Sequence, residues 1–240
     1  FFLQADAVVL EGVEVKGNRS VRESRNTIGM VSLTPETIQK IPALLGEPDI
    51  IKAVQLLPGV LMSTETSSGF SVRGGGLDQN AIILDQATLY NPTHTCGFFS
   101  VFNNDAVGSA RIYKGDIPIV YGGRLASVID VAMKEGDFQN YHVDAGLGLL
   151  VAKATVNGPI WKDHTSFLAS ARATYFDMFL PLAGIDGTRL GFYDFNAKLV
   201  HKFDNNKDRI SFSGYLGRDR FGMESMDIGL DYGNSMLSLT

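Results

Sequence analysis

From about Tyr141 to the end of the chain, apolar residues recur at every second position, a period that fits strands and excludes a helical body for this half. Phe167, Ala169, Ala171, Ala173 and Tyr175 alternate with Ser166, Ser170, Arg172 and Thr174. Tyr193, Phe195, Ala197, Leu199 and Phe203 alternate with Asp194, Asn196, Lys198 and Lys202, and Ile210, Phe212 and Leu216 continue the pattern against Ser211 and Ser213. One face is greasy and the other is polar or charged. Strands of roughly ten residues with this alternation build transmembrane β-barrels, with an apolar lipid face and a wet lumen. A soluble antiparallel sheet with one solvated face reads the same way, so alternation alone leaves both open.

The connections bear on that choice. Asn157 to Asp163 and Asp204 to Asp208 read as short polar turns, whereas Phe176 to Gly191 and Gly222 to Asn234 read as longer loops. Outer-membrane barrels keep short turns on the periplasmic side and longer loops outside. With the chain entering from the periplasmic side, an even number of strands must fit between Gly136 and the turn at Asn157. A tight hairpin around Gly146 to Leu150 supplies two short strands; a β-bulge there is the competing explanation.

Composition narrows the partners. A formal charge of -5 over 240 residues is too mild to point to nucleic acid. The 26 glycines fit turns and close backbone approaches better than a helical bundle. A single cysteine, Cys96, rules out an intramolecular disulfide framework and a Cys-rich zinc site. No run approaches the roughly 18 to 20 apolar residues of a membrane-spanning helix. The chain opens Phe1-Phe2-Leu3-Gln4 without Met, basic region or cleavage site, and it halts at Thr240 inside a strand-like pattern. The expectation is therefore a piece of a longer protein, with any secretory signal upstream.

Up to about Glu135 the grammar is mixed. Thr34-Pro35-Glu36 is a helix start, and Pro48 after Glu47 opens a second helix whose face carries Ile50, Ile51, Val54 and Leu57 until Pro58-Gly59. Apolar runs at Ala81 to Leu84, Ala110 to Tyr113 and Val128 to Ala132 read as strands of a small mixed sheet with long loops, an α+β globule.

The same segment strings together Leu57-Pro58-Gly59-Val60, Val72-Arg73-Gly74-Gly75-Gly76, Ile83-Leu84-Asp85, Tyr113-Lys114-Gly115 and Tyr121-Gly122-Gly123-Arg124. In that order and at those intervals, over residues 10 to 135, the chain resembles the plug domain of the TonB-dependent outer-membrane transporters. Tyr90-Asn91-Pro92 and Gly97-Phe98-Phe99-Ser100-Val101-Phe102 look like the Bacteroidetes-type branch. The resemblance implies an α+β plug domain, a small mixed sheet with short helices, followed by antiparallel β-strands of a truncated transmembrane β-barrel. The expected segments are 1–26 (N-terminal piece with TonB box and linker), 27–135 (plug) and 136–240 (first barrel strands).

The resemblance also assigns residues. Arg73 and Arg124 match the plug arginines that contact acidic side chains on the inner wall, a task suited to a planar, permanently charged guanidinium. Gly59, Gly74, Gly75, Asp85, Gly115, Gly122 and Gly123 are the plug's turn residues. Where the family writes Asp-Gly this chain has Asp85-Gln86, which puts that turn's geometry in question. Leu10-Glu11-Gly12-Val13-Glu14-Val15 matches the TonB box, which pairs as an added strand with the C-terminal domain of TonB; the first plug strand or the tail of a preceding domain are the other readings of these residues. Implied partners are TonB, outer-membrane lipid and a transported ligand. The implied activity is energised uptake of a bulky scarce nutrient (siderophore, cobalamin, glycan or peptide); a non-transporting signalling receptor of the same architecture is the alternative.

Other chemistry finds little support. Arg73-Gly74-Gly75-Gly76 lacks the Gly-Lys-Ser/Thr of a phosphate loop, and Gln79 stands where a dinucleotide fingerprint needs its third glycine. His94 and Cys96 have no further soft ligand nearby in sequence, and a small buried hydrophobe is the expected role of the thiol. His142, His164 and His201 lack metalloprotease spacing, and no nucleophile elbow appears. No cofactor, metal or enzymatic activity is expected.

Overall fold

The computed structural model describes residues 29–41, 47–63, 69–204 and 208–240. The candidate TonB box at Leu10 to Val15 and the linker Asn18 to Asn26 lie outside the described residues, as does the side chain of Cys96.

The first part builds on β1 (Met30–Leu33), α1 (Pro35–Gln39), α2 (Ile50–Gln55), β2 (Val60–Met62), β3 (Phe70–Val72), β4 (Asn80–Leu84), β5 (Ala87–Thr88), β6 (Thr93–His94), β7 (Phe99–Ser100), β8 (Val107–Tyr113) and β9 (Ser127–Met133). Five of the strands form one sheet in the order β1-β8-β9-β4-β5, with β4 and β9 parallel and the other pairs antiparallel. Helix α1 starts behind Thr34 with Pro35 in its first turn, as the sequence suggests. In α2 the start falls later than the Pro48 signal: Asp49 is the N-cap, its carboxylate accepting from the Ile51 and Lys52 N–H groups at 2.7 and 3.2 Å. The other carboxylate oxygen of Asp49 accepts from Ser100 N–H at 2.7 Å, so the cap also pins β7. Ile50, Ile51 and Val54 then join Leu84, Ile112, Ile129 and Val131 in a continuous core.

The second part is a six-stranded antiparallel meander: β10 (His142–Leu147), β11 (Val151–Trp161), β12 (Thr165–Thr174), β13 (Thr188–Lys202), β14 (Arg209–Met223) and β15 (Ile228–Leu239). The hairpin reading of Gly146 to Leu150 holds: Gly148 N–H donates to Val151 C=O at 2.8 Å, and β10 and β11 pair in register on either side. Two expected boundaries move. β11 runs on to Trp161 through a register shift at Pro159, so the turn is only Lys162 to His164. Gly222 to Asn234 is not a long loop, because β14 and β15 pair as far as Met223 opposite Ile228. Cross-strand pairing continues wherever backbone partners face each other, and the glycines at 222, 229 and 233 do not interrupt it.

The connection between the two parts crosses the ends of β11 to β14. Glu135 pairs with Arg209 at 2.8 Å, Lys202 Nζ sits 3.5 Å from the centre of the Phe138 ring, and Asp163 N–H donates to Phe138 C=O. Gly136 lies so close to β12 that an added Cβ would stand 2.1 Å from the Phe167 carbonyl oxygen. Asp137 turns the chain into β10; the N–H of Gln139, then His142 and the N–H of Asn140, hold its carboxyl down at about 2.

The two faces of the meander are inverted relative to a water-soluble sheet. Ser166, Ser170, Arg172, Asp194, Asn196, Lys198, Ser211, Ser213 and Asp219 are buried against the first part, while Phe195, Phe212 and Leu216 are 45 to 49% exposed and Leu237 and Leu239 more than 70%. Soluble sheets put the apolar side inward. Among the described residues no helix is long and apolar enough to cross a membrane.

A sheet with a greasy outer face and unpaired rims at β10 and β15 self-associates in water. The 240-residue chain is expected to sediment as aggregates in detergent-free buffer and as a disperse species in micelles, whereas a chain ending at Glu135 stays monomeric without detergent. A monodisperse 240-residue monomer in water, seen by analytical ultracentrifugation, would contradict the inversion.

Candidate functional site: the buried polar seam

Alternation places the side chains of β12 to β14 that are buried and hydrophilic on one face, and buried polar groups require partners. The loops of the first part supply many of them, whereas Ser166 Oγ, Asp194 Oδ1 and Asn196 Nδ2 have no hydrogen-bond partner among the described residues. Nearest the connection stands Asp85, in the two-residue turn between β4 and β5. Asp85 and Gln86 both have positive φ, 42° and 70°, as a tight primed hairpin turn demands. The chain therefore takes the expected conformation without the glycine, at some backbone strain. Asp85 Oδ1 accepts from Met133 N–H at 3.0 Å, and Oδ2 accepts from Ser213 Oγ at 2.6 Å and from Lys198 Nζ at 3.0 Å. Lys198 also donates to the Met133 carbonyl at 3.2 Å.

Further along the strands the seam gathers around His94, the last residue of β6. Its Nδ1 lies 2.6 Å from Asp219 Oδ2, and the next N–H, that of Thr95, donates to Asp219 Oδ1 at 2.6 Å. Its Nε2 lies 3.1 Å from Tyr215 Oη and 3.4 Å from Asp194 Oδ2. The ring stacks on Phe192 with centroids 4.3 Å apart and planes 5° from parallel. Gly217, directly across from Asp194, leaves the space: a Cβ there would come 3.0 Å from His94 Cε1. Arg172 donates through Nε (2.9 Å) and Nη2 (2.5 Å) to Asp194 Oδ2 and through Nη2 to Ser100 C=O at 2.8 Å. Burial pushes the His94 imidazole toward neutrality, but the facing carboxylates of Asp194 and Asp219 outweigh it and raise its pKa above the ordinary 6.5. Asn103 Nδ2 donates to Ser170 Oγ at 2.8 Å, and Lys153 pairs with Asp105 at 3.0 Å.

The residues singled out from sequence stand elsewhere, apart from Asp85. Arg73, with φ 50°, is exposed; its N–H donates to Gly59 C=O at 2.9 Å and its guanidinium lies over Gly115, where a Cβ would meet Nη1 at 2.6 Å. Arg124 is exposed on the rim of a cavity of about 370 Å³ that includes Leu77, Asn80, Leu89 and Tyr90. Among the described residues neither arginine forms an ion pair. Gly59, Gly74 and Gly123 hold positive φ of 79° to 84°, Gly75 packs against Ala126, and no contact or positive φ requires glycine at Gly122. The seam thus joins the described strands through loop acids, Asp85 and Asp105, set against strand lysines, and through His94 set against the strand acids Asp194 and Asp219. Sequence reading missed His94, Arg172, Asp194, Lys198 and Asp219; the wet-face positions of the last four were legible, their partners not. Among the described residues no His, Cys, Asp or Glu group is arranged to hold a metal ion.

Comparison with known proteins bears on this arrangement. Residues 24–128 match the family described as TonB-dependent Receptor Plug Domain. That segment is similar to a TonB-dependent receptor plug. No curated protein matches the chain. Among solved structures, the siderophore receptor PirA from Acinetobacter baumannii superposes with a TM-score of 0.58 at 16% identity, over 81% of this chain and 32% of that one. PirA from Pseudomonas aeruginosa gives 0.58 at 16%, over 81% and 34%. The outer membrane transporter YddB from Escherichia coli gives 0.59 at 15%, over 88% and 36%. The chain thus spans about a third of the length of these structures, and the likeness is one of fold. The His94 and Asp85 loops, together with Ser100, Asn103 and Asp105, lie within the matched segment and meet the meander.

Removing one member of a buried ion pair strands the other, at a cost of about 3 to 5 kcal/mol. Lys198→Met is therefore expected to lower the unfolding free energy of the detergent-solubilised protein, read by denaturant titration, by an amount in that range, and adding Asp85→Asn to recover part of it. A double-mutant cycle with no coupling between the two positions would show that the pair does not hold plug to strands.

Proposed function

We propose that this chain is the plug and the first wall strands of an outer-membrane TonB-dependent receptor that takes up a bulky, scarce nutrient with energy delivered by TonB. The observation that carries the reading is the inverted meander beside a plug: the buried, charged face of β12 to β14 is the lumen side and is filled by plug loops, and the exposed Phe195, Leu199, Phe212 and Leu216 form the lipid side. Exposed Tyr141, Trp161 and Phe203 gather at the strand ends nearest the connection, where a barrel carries its interfacial aromatic belt. That end is the periplasmic one in this reading, and the segments are 1–26 (TonB box and linker), 27–135 (plug) and 136–240 (wall). Further strands, to about 22 in the family, would close the barrel and cover the rims.

The assigned roles follow. Leu10 to Val15 pairs with the C-terminal domain of TonB as an added strand. Arg73 and Arg124, exposed on the plug, face carboxylates on wall strands that follow β15 and complete the seam there. The two PirA structures are siderophore receptors by name, and siderophore, cobalamin, glycan or peptide is the class of cargo. Assignment to the Bacteroidetes-type branch rests on the Tyr90-Asn91-Pro92 and Gly97 to Phe102 words.

The test uses the full-length protein. It should fractionate with the outer membrane and bind purified TonB C-terminal domain. Val15→Pro, which removes a main-chain donor, should abolish that binding, while Glu14→Ala changes it less than a few-fold. A protein recovered in the soluble fraction would sink the reading; unchanged binding by Val15→Pro would move the box elsewhere.

A further inference from the structure

His94 occupies an unusual place for a titratable plug side chain. It is 1% exposed, sits at the end of β6, and is faced from three wall strands: by Arg172 of β12, by Asp194 of β13, and by Tyr215 and Asp219 of β14. Arg172 is committed to Asp194. With a neutral imidazole the cluster holds one guanidinium against two carboxylates, an excess negative charge in a buried site. With an imidazolium it holds two cations against two anions.

The hydrogen bonds accommodate both states. The neutral ring donates from Nδ1 to Asp219 and accepts at Nε2 from the Tyr215 hydroxyl, at 2.6 and 3.1 Å. In the protonated ring Nε2–H turns toward the Tyr215 oxygen and the Asp194 carboxylate, 3.4 Å away. Tyr215 can be donor in one state and acceptor in the other, so neither leaves it unpaired. The flat stack on Phe192 keeps the ring in plane through the change.

Resting on the reading of residues 136–240 as the wall around the plug, we propose that His94 is a proton-operated latch: as an imidazolium it clamps plug residues 93–97 to β13 and β14, and on losing its proton it loosens that corner for release. It is a positioning residue and touches no cargo. The loop is built to transmit the change, because Thr95 N–H shares Asp219 with His94 and Thr95 holds a positive φ of 52°. In the same reading the corner lies farther from the periplasmic end than the Asp85 anchor, so it can release while Asp85, Lys198 and Met133 still hold.

The sign follows from the raised pKa. The clamp is complete below the unfolded value of 6.5 and is lost as pH rises through the higher folded value. Hydrogen–deuterium exchange of the full-length protein in detergent reads it directly. After correction for intrinsic rates, protection at Thr95 to Val101 should fall as pH passes 6.5, by up to about tenfold per pH unit. The segment around Met133 should stay level. His94→Gln should show weak, pH-independent protection. Asp219→Asn, which keeps the shape and an acceptor for Thr95 N–H, should flatten the profile by favouring the neutral ring. A wild-type profile flat from pH 6 to 8.5, or a His94→Gln profile matching the wild type, would overturn the latch. If His94→Gln does not fold, the wild-type and Asp219→Asn profiles decide. Outer-membrane fractionation and TonB binding are separate measurements, so failure of the receptor reading is distinguishable from failure of the latch.

Discussion

A sheet that buries its charges and exposes its oil depends on one thing: every buried polar group on the inner face must find a partner on whatever fills it. In β12 to β14 the burden falls on Arg172, Asp194, Lys198 and Asp219, and the plug meets it with Asp85, His94, the Thr95 N–H and the Ser100 carbonyl. The desolvation of such charges roughly cancels their attraction, so the seam adds little net stability while making misplacement of the plug costly. It therefore sets where the plug sits rather than how firmly the protein as a whole is folded. The apolar core, centred on Ile50, Ile51, Ile112 and Ile129 and reaching Leu168 and Tyr215, supplies the adhesion.

This division makes the contact directional as well as adhesive. Ion pairs and hydrogen bonds are directional and strongly dependent on geometry, so a small shift of a loop releases several at once. The Asp85 anchor is bonded to both parts together: its carboxylate takes Met133 N–H from β9 as well as Ser213 and Lys198 from the meander. Asp85 thereby ties the five-stranded sheet, in which β9 lies next to β4, to the six-stranded meander.

Much of this was legible in the residues. The strands read at Ala81 to Leu84, Ala110 to Tyr113 and Val128 to Ala132 coincide with β4, β8 and β9, and the period-two text gave the correct faces of β12, β13 and β14. The hairpin near Gly148 was legible as a phase slip. Loop lengths were less so, because Gly222 to Asn234 looks like a loop in composition yet pairs residue by residue with its neighbour. A strand held by two backbone ladders tolerates glycine and polar residues that an isolated segment would not.

Period and turn chemistry are local properties, which is why the sequence alone determined the strand faces and the plug-like order of turns, whereas the positive-φ turn at Asp85-Gln86, left in question by the missing glycine, was decided by the structure. Which charge meets which was decided only by the tertiary structure. His94 and Asp219 are 125 positions apart, and Asp85 and Ser213 are 128 apart. No spacing rule spans such separations, because those pairings are fixed by sheet register and by how the plug is seated, not by neighbours along the chain. His94, an isolated histidine in the sequence, became the centre of the seam for that reason, and the arginines that stood out in the sequence are exposed and take no part in it.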